Sequence, residues 1–361
     1  MILKKWVITI LVVMAIAPII RKLELQPEES VKVAQEPPNQ GLLQPSNPDP
    51  VDILRAIEAL EQTTKLLPET LPITIPFEER GGHLLLPVQV NDSGLATQLI
   101  LDSGARMTLL DANFLPETAL HSAVKIDSTL SYGLLTRLMI SDAVFENTGV
   151  LITNFNHQMN HQMSHQNRPI QCLSKDGFIG ANTMRHGVWQ IDYQNKVVTL
   201  AETIDQLEPF NLEPFNNDTI ALPFTLLNHR PAINLALADG QTFSAIVDTG
   251  WEGGIYLTQA DYEHVKDSLV PAGISLQSLV DTLAGSKTAY FDLAIAPCLK
   301  VGDLCLENTP IIIDRASNLQ PQSLIGNEFL KQFRVTLDWQ QNQVYLEPIA
   351  GSTSSAEEMK I

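Results

Sequence analysis

Through most of the chain apolar and polar residues alternate in short runs, with a period nearer two than 3.6. Thr97, Leu99 and Leu101 mark one face of such a run and Phe243, Ala245 and Val247 mark another, as expected of strands with a buried side. Turn residues interrupt the runs at 91–94 and 238–240. Helical spacing is confined to short segments. Ile53, Leu54, Ile57 and Leu60 predict an amphipathic helix over 51–66 with Asp52 as N-cap, and short helices are expected at 111–115 and 258–266. Residues 23–50, rich in Pro, Gln, Glu and Asn, have the composition of a solvated tether, and Pro68, Pro72 and Pro76 impose an extended path after it. The expectation is an all-β chain with little helix.

The strand pattern occurs twice. Asp102-Ser103-Gly104 returns 146 residues later as Asp248-Thr249-Gly250, and Phe178-Ile179-Gly180 returns at the same offset as Leu324-Ile325-Gly326. Ile191-Asp192-Tyr193 and Leu337-Asp338-Trp339 form a third pair at 146, Val198-Thr199-Leu200 and Val344-Tyr345-Leu346 a fourth. Ile75-Pro76-Phe77 matches Leu222-Pro223-Phe224 at 147. An internal repeat of this kind divides the chain. Residues 73–202 form one lobe and 219–349 a second, joined by a linker at 203–218, preceded by the tether at 23–72 and followed by a frayed tail at 350–361.

Composition narrows the function. Asp and Glu number 41 against 23 Lys and Arg, for a formal charge of −18. A body so acidic repels phosphate backbones, which argues against nucleic acid as a partner. Lys4 and Lys5 precede an uncharged apolar run from Trp6 to Ile20, which reads as a membrane anchor within 1–22, with a cleaved signal peptide as the alternative and a buried N-terminal helix as a third. Either of the first two sets the body on the periplasmic or extracytoplasmic face. Cys172, Cys298 and Cys305 show no C-x-x-C spacing, so zinc and dithiol chemistry are not expected. A two-residue turn at Val301-Gly302 would set Cys298 opposite Cys305, which leaves a cross-strand disulfide or two half-buried thiols, the second favoured. His157, His161 and His165 would share one face of a helix, but their surroundings are Asn and Gln and no carboxylate or Cys joins them; a loop at 154–167 is the expectation. No metal and no cofactor are expected.

The chemistry sits in the duplicated Asp triad. Alone, Asp-Ser/Thr-Gly after a strand is an ordinary turn. Duplicated, and followed in each copy by an apolar-apolar-Gly element, it predicts a site. Metal-free peptide hydrolysis needs one carboxylate to take a proton from water and one carboxylic acid to polarise the carbonyl. Two Asp side chains in contact share one proton and titrate as a pair. Ser103 and Thr249 carry hydroxyls that can bond across the interface, Gly104 and Gly250 permit close approach, and the segments ending in Ile179-Gly180 and Ile325-Gly326 are expected to pack behind as supports.

These motifs resemble the retropepsin and pepsin superfamily, and most closely its bacterial retropepsin-like proteases. Ile246 to Gly253 is similar to the family's hydrophobic-hydrophobic-D-T-G-aromatic-x-G form, and Leu324 to Leu330, running on to Trp339, is similar to its L-G-x-x-F-L segment. The resemblance implies two β-barrel lobes with a cleft between them, an aspartic endopeptidase with Asp102 and Asp248 as catalytic pair, and an extended protein or peptide substrate. One chain is expected to suffice. It also implies β-hairpin flaps, guessed at 129–136 and 282–289 with Gly133 and Gly285 at their tips. Ala105 and Trp251 stand where the family often has a hydroxyl residue, which predicts raised carboxyl pKa values and a mildly acidic optimum. The alternative is a peptide-binding or sensor module of the same fold without turnover.

Overall fold

The computed structural model describes residues 63–91, 96–115, 120–126, 130–153, 176–207, 219–282, 285–315 and 322–349. The apolar run at 6–20, the tail, Cys172 and the three histidines of 154–167 lie outside them. In the first half the strands are β1 (Lys65–Leu66), β2 (Ile73–Pro76), β3 (Glu78–Arg80), β4 (His83–Val90), β5 (Ala96–Leu101) and β6 (Thr108–Asp111). They are followed by β7 (Leu120–Lys125), β8 (Leu130–Ile140), β9 (Ala143–Thr153), β10 (Gly177–Ile179), β11 (Val188–Asp192) and β12 (Val197–Ala201).

The second half repeats the order. Its strands are β13 (Ile220–Pro223), β14 (Thr225–Leu227), β15 (Arg230–Leu237), β16 (Thr242–Val247), β17 (Ile255–Leu257) and β18 (Val270–Thr282). After them come β19 (Gly285–Val301), β20 (Leu304–Asp314), β21 (Ser323–Ile325), β22 (Phe333–Asp338) and β23 (Gln343–Pro348). Helices are short: α1 (Ala181–Met184), α2 (Gln259–Val265) and α3 (Asn327–Leu330).

Pairing closes each half on itself. In the first, β9, β6, β10, β5, β4 and β8 form a ring that shuts through β8 and β9; in the second, β15, β16, β21, β17, β20 and β19 shut through β15 and β19. The protein is therefore all-β, with two six-stranded barrels. Closure removes free sheet edges. The first half of β4 is buried on both faces, which blurs the simple alternation there. Along β4, Leu84, Leu86, Val88 and Val90 enter the main core, while Leu85 joins Ala105, Met107, Leu109 and Tyr132 in a second cluster on the other face.

A six-stranded sheet, in the order β13, β23, β22, β11, β12, β2, joins the halves. At its centre β11 and β22 run antiparallel, with Gln190 opposite Thr336. These residues are 146 apart, so each is the other's counterpart and the approximate two-fold axis of the repeat passes between them. The Gln190 amide donates to the Thr336 hydroxyl at 3.3 Å on that axis. Trp189 beside it is fully buried, stacks on Phe145 of the first barrel, and donates its indole N–H to the Met184 carbonyl at 2.7 Å.

Several local expectations are corrected. Residues 112–115 make turns rather than a helix, because Asp111 Oδ1 accepts the Asn113 N–H at 2.8 Å and diverts the backbone. Of the helix expected over 51–66, residues 51–62 lie outside the described residues, and Lys65–Leu66 are strand, pairing with β9 and extending the first barrel's sheet from within the presumed tether. Gly133 is no hairpin tip: it lies within β8 between Ala123 and Val150, and the turn falls between Ile126 and Leu130. Gly285 begins β19 opposite Thr282, beside the turn of the longer hairpin. The tight turn after β19 is Gly302-Asp303, one residue later than expected, so Cys298 and Cys305 are diagonal neighbours; their sulfurs are nevertheless bonded, with Cα atoms 5.4 Å apart. Among the described residues no helix is long and apolar enough to cross a membrane.

Trp189→Ala opens a cavity where the first barrel meets the connecting sheet. It should destabilise the protein by about 3–5 kcal/mol in urea unfolding, with little change if the indole is dispensable to the seam.

Candidate active site

The apolar strands β5 and β16 each end at a buried Asp. Asp102 is 3% exposed and Asp248 not at all. Behind them β10 and β21 run parallel to β5 and β16, so that the Ile179 carbonyl accepts the Asp102 N–H at 3.0 Å and the Ile325 carbonyl the Asp248 N–H at 2.9 Å. The supports expected at Ile179-Gly180 and Ile325-Gly326 are thus hydrogen-bonded to the loops they carry. Neither Gly180 nor Gly326 has room for a side chain, because a Cβ would fall 2.3 Å from the Met107 carbonyl carbon or 2.2 Å from the Trp251 ring.

Ser103 and Thr249 lock the loops together. Each backbone N–H donates to the other's hydroxyl oxygen at 3.0 Å. Each hydroxyl then donates across the interface to the carbonyl two residues before the partner Asp-loop hydroxyl residue: Ser103 to Val247 at 2.6 Å, Thr249 to Leu101 at 2.9 Å. Both hydroxyl residues are fully buried, so all these bonds are made away from water. The glycines complete the approach. A Cβ on Gly104 would lie 2.1–2.3 Å from the Asp248 carboxylate, and one on Gly250 2.2–2.5 Å from that of Asp102. Each carboxyl group therefore lies against the other copy's glycine, and only a residue without Cβ fits there.

Within its own loop Asp102 Oδ1 accepts the Ala105 N–H at 2.8 Å, and Asp248 Oδ1 the Gly250 N–H at 2.9 Å. These bonds favour the charged forms but do not prevail. Burial first, and the Asp248 charge second, push Asp102 well above the usual carboxylate range. Burial also raises Asp248, to about 6, against the pull of the Arg230 guanidinium. Two adjoining carboxyl groups that resist ionisation hold one shared proton over a wide pH range.

Two further residues belong to this site. Arg230 opens β15, is 6% exposed, and brings Nη1 to 3.5 Å from the Gly104 carbonyl while Nη2 donates to Gln322 Oε1 at 2.6 Å. Its counterpart at offset 147 is His83, which opens β4 and sits beside the Gly250 carbonyl, with Nε2 3.8 Å from Glu252. Burial lowers the His83 imidazole to about 4, so it is neutral above that pH. One half thus presents a fixed cation to the opposite Asp loop and the other a neutral ring. The signal was in the sequence: counting six residues on from Phe77 and Phe224, which align at 147, reaches His83 and Arg230.

Of the other expected residues, Gly133 and Gly285 belong to the hairpins described above, and a Cβ on Gly133 would meet Leu120 and Ile152 rather than a carboxyl group. Among those residues no cluster of three metal-ligating side chains occurs. No family model matches the sequence, and no curated protein matches it. Among solved structures 388 chains match. One is an aspartic proteinase from Irpex lacteus, with 11% identity and a TM-score of 0.47 over 78% of this chain and 98% of that one.

Thr249→Val keeps the shape of the side chain but removes the acceptor for the Ser103 N–H and the donor to Leu101. Leaving those buried groups unpaired should cost about 2–4 kcal/mol in denaturant unfolding, whereas Thr249→Ser should cost under about 1.5 kcal/mol; equal losses would show that the hydroxyl is not what joins the loops.

The raised carboxyl groups also set a pH dependence of stability. Below about pH 3.8 Asp248 is protonated folded or unfolded. As pH rises from there towards 6, the unfolded chain releases its proton first, so stability falls across that window and stays lower above it. Asp248→Asn removes this loss. The variant should gain on the order of 2–3 kcal/mol over the native chain at pH 7.5 and little at pH 3.5; a pH-independent difference would mean that the folded-state pKa is not raised.

Proposed function

We propose that the chain is an aspartic endopeptidase of the retropepsin-like class, built as a single polypeptide. The observation that carries this reading is the pair of buried carboxyl groups, one from each copy, each lying against the glycine of the other copy's loop. In the proposed reaction Asp248 is the ionised partner, because Arg230 opposes the rise in its pKa, and Asp102 carries the proton. The Asp248 carboxylate takes a proton from water as the oxygen attacks the peptide carbonyl carbon, and Asp102 gives its proton to the carbonyl oxygen. A neutral tetrahedral diol results. Its collapse breaks the C–N bond, returns a proton from one hydroxyl to Asp102, and moves the proton on Asp248 to the leaving amine. No cofactor enters.

The substrate in this proposal is an extended protein or peptide segment, lying between the halves and covered by the hairpins β7–β8 and β18–β19. Membrane attachment through residues 6–20, with the body on the extracytoplasmic face, is proposed from their apolar sequence alone. One chain suffices, since it supplies both carboxyl groups.

The test is cleavage of an unfolded protein by the full chain, followed over pH 3 to 8 with and without pepstatin. Pepstatin-sensitive cleavage with a mildly acidic optimum is expected, and Asp102→Asn or Asp248→Asn should each lower turnover by on the order of 10³-fold or more. Arg230→Gln should move the acidic limb to higher pH, because Asp248 then loses the cation that opposes the rise in its pKa. A folded chain that cuts nothing at any pH would make it a peptide-binding module instead. Full activity in Asp102→Asn would mean that second halves from two chains form the site.

A further inference from the structure

The flanks of the site break the two-fold symmetry. On one flank Asn327 fills the space between the halves: Nδ2 donates to the Thr249 carbonyl at 2.7 Å and the Gly82 carbonyl at 2.9 Å, and Oδ1 accepts from the Tyr193 hydroxyl at 2.7 Å. At offset 146 the counterpart of Asn327 is Ala181, and that of Tyr193 is Trp339. A methyl group thus replaces the bridging amide. On this second flank lies a cavity of about 260 Å³, lined by Arg106, Arg185 and His186 of the first half and by His229 and Trp339 of the second.

Two buried ring nitrogens there have no hydrogen-bond partner, one of them the donor Nε1 of an indole. Trp339 is 8% exposed and its Nε1 is buried without a hydrogen-bond partner, as is His186 Nε2. Buried N–H groups are rarely left so. Charge points to the same conclusion. In a chain with a formal charge of −18, the cavity wall gathers two guanidinium groups and no carboxylate, beside the His186 imidazole, which burial and Arg185 lower to about 4 and so keep neutral. The counterparts of Arg106, Arg185, His186 and His229 are Glu252, Lys331, Gln332 and Gly82; the one cation among them, Lys331, is ion-paired with Glu328, and an acid stands where this flank has Arg106. Asn182 in the wall is already committed, accepting from Thr108 at 2.7 Å and donating to the Gly149 carbonyl at 2.7 Å.

We infer that this cavity is a binding site for a small oxyanion, phosphate or carboxylate, held by Arg106, Arg185 and Trp339. Guanidinium forks and an indole N–H are donors only, and they suit an acceptor-only ligand. Arg106 lies four residues after Asp102, and its carbonyl accepts the Asn182 N–H at 3.1 Å. An oxyanion bound between it and Trp339 ties the Asp102 loop to the second half, the task that Asn327 performs on the other flank.

Thermal unfolding of the full chain in inorganic phosphate, in acetate, and in chloride at matched ionic strength tests the inference. A saturable rise in Tm on the order of 3 °C over chloride is expected at about ten times Kd. A response to phosphate alone identifies the phosphate class, and one to acetate alone a carboxylate. The response should vanish in Arg106→Gln and in Arg185→Gln. Should those variants fail to fold, the Trp339 indole N–H resonance of the native chain, assigned with Trp339→Phe, should shift on titration with the active anion. No rise over chloride, a rise that survives in a folded variant, or a stationary indole resonance would overturn the inference.

Discussion

Two carboxyl groups are held in contact, out of water, at the meeting of two barrels, and the surrounding structure is organised by what that contact costs. Buried acids that adjoin repel when both ionise and lose hydration when either does, which is why both are raised. Something must force the halves together despite this. The crossed hydrogen bonds of Ser103 and Thr249 act at the point of greatest opposition, and the connecting sheet, with Gln190 facing Thr336 on the axis, fixes the same geometry from below. The stability lost at the carboxyl groups is recovered in the barrels and the seam, which are closed, apolar and densely packed.

Duplication makes such a site by symmetry, but a proton shared between equal partners has no preferred owner. Here the partners are unequal. Arg230 faces one Asp loop and neutral His83 the other, at positions that correspond in the repeat. A fixed cation on one side alone separates the two ionisations and gives each carboxyl a role. The flanks depart from symmetry in the same spirit: Asn327 bridges one, and a space lined by Arg106 and Arg185 lies on the other. Repeated halves thus share their scaffold and differ where charge and hydrogen bonding act on the loops.

Much of this was legible in the sequence because it rests on local rules. The all-β architecture followed from short strands and turns, and the placement of Asp102, Asp248 and their supports from one offset that held across four motifs. What was missed depends on register or on contacts distant in sequence. The turn after β19 moved by one residue, which no local signal at Val301-Gly302-Asp303 decides. Gly133 suggested a tip, yet it serves as a small residue inside β8, where a Cβ would strike Leu120 and Ile152. Lys65–Leu66 looked helical in pattern but are recruited by the edge of β9. Arg230 and His83 fall at matching places in the repeat, but they share no chemistry, and it is the fold that brings each beneath the other half's loop.

Asp102 and Asp248, buried together and both raised, form one unequal, proton-sharing pair. Carboxyl ¹³C NMR of Asp-labelled protein, titrated from pH 3 to 9 with Asp102→Asn and Asp248→Asn used for assignment, addresses it without need of a substrate. The prediction is two coupled transitions above the ordinary range near 4, with Asp248 ionising first and Asp102 later, and with each native transition altered when the other residue is replaced. Two independent transitions near 4, or Asp102 ionising before Asp248, would contradict it.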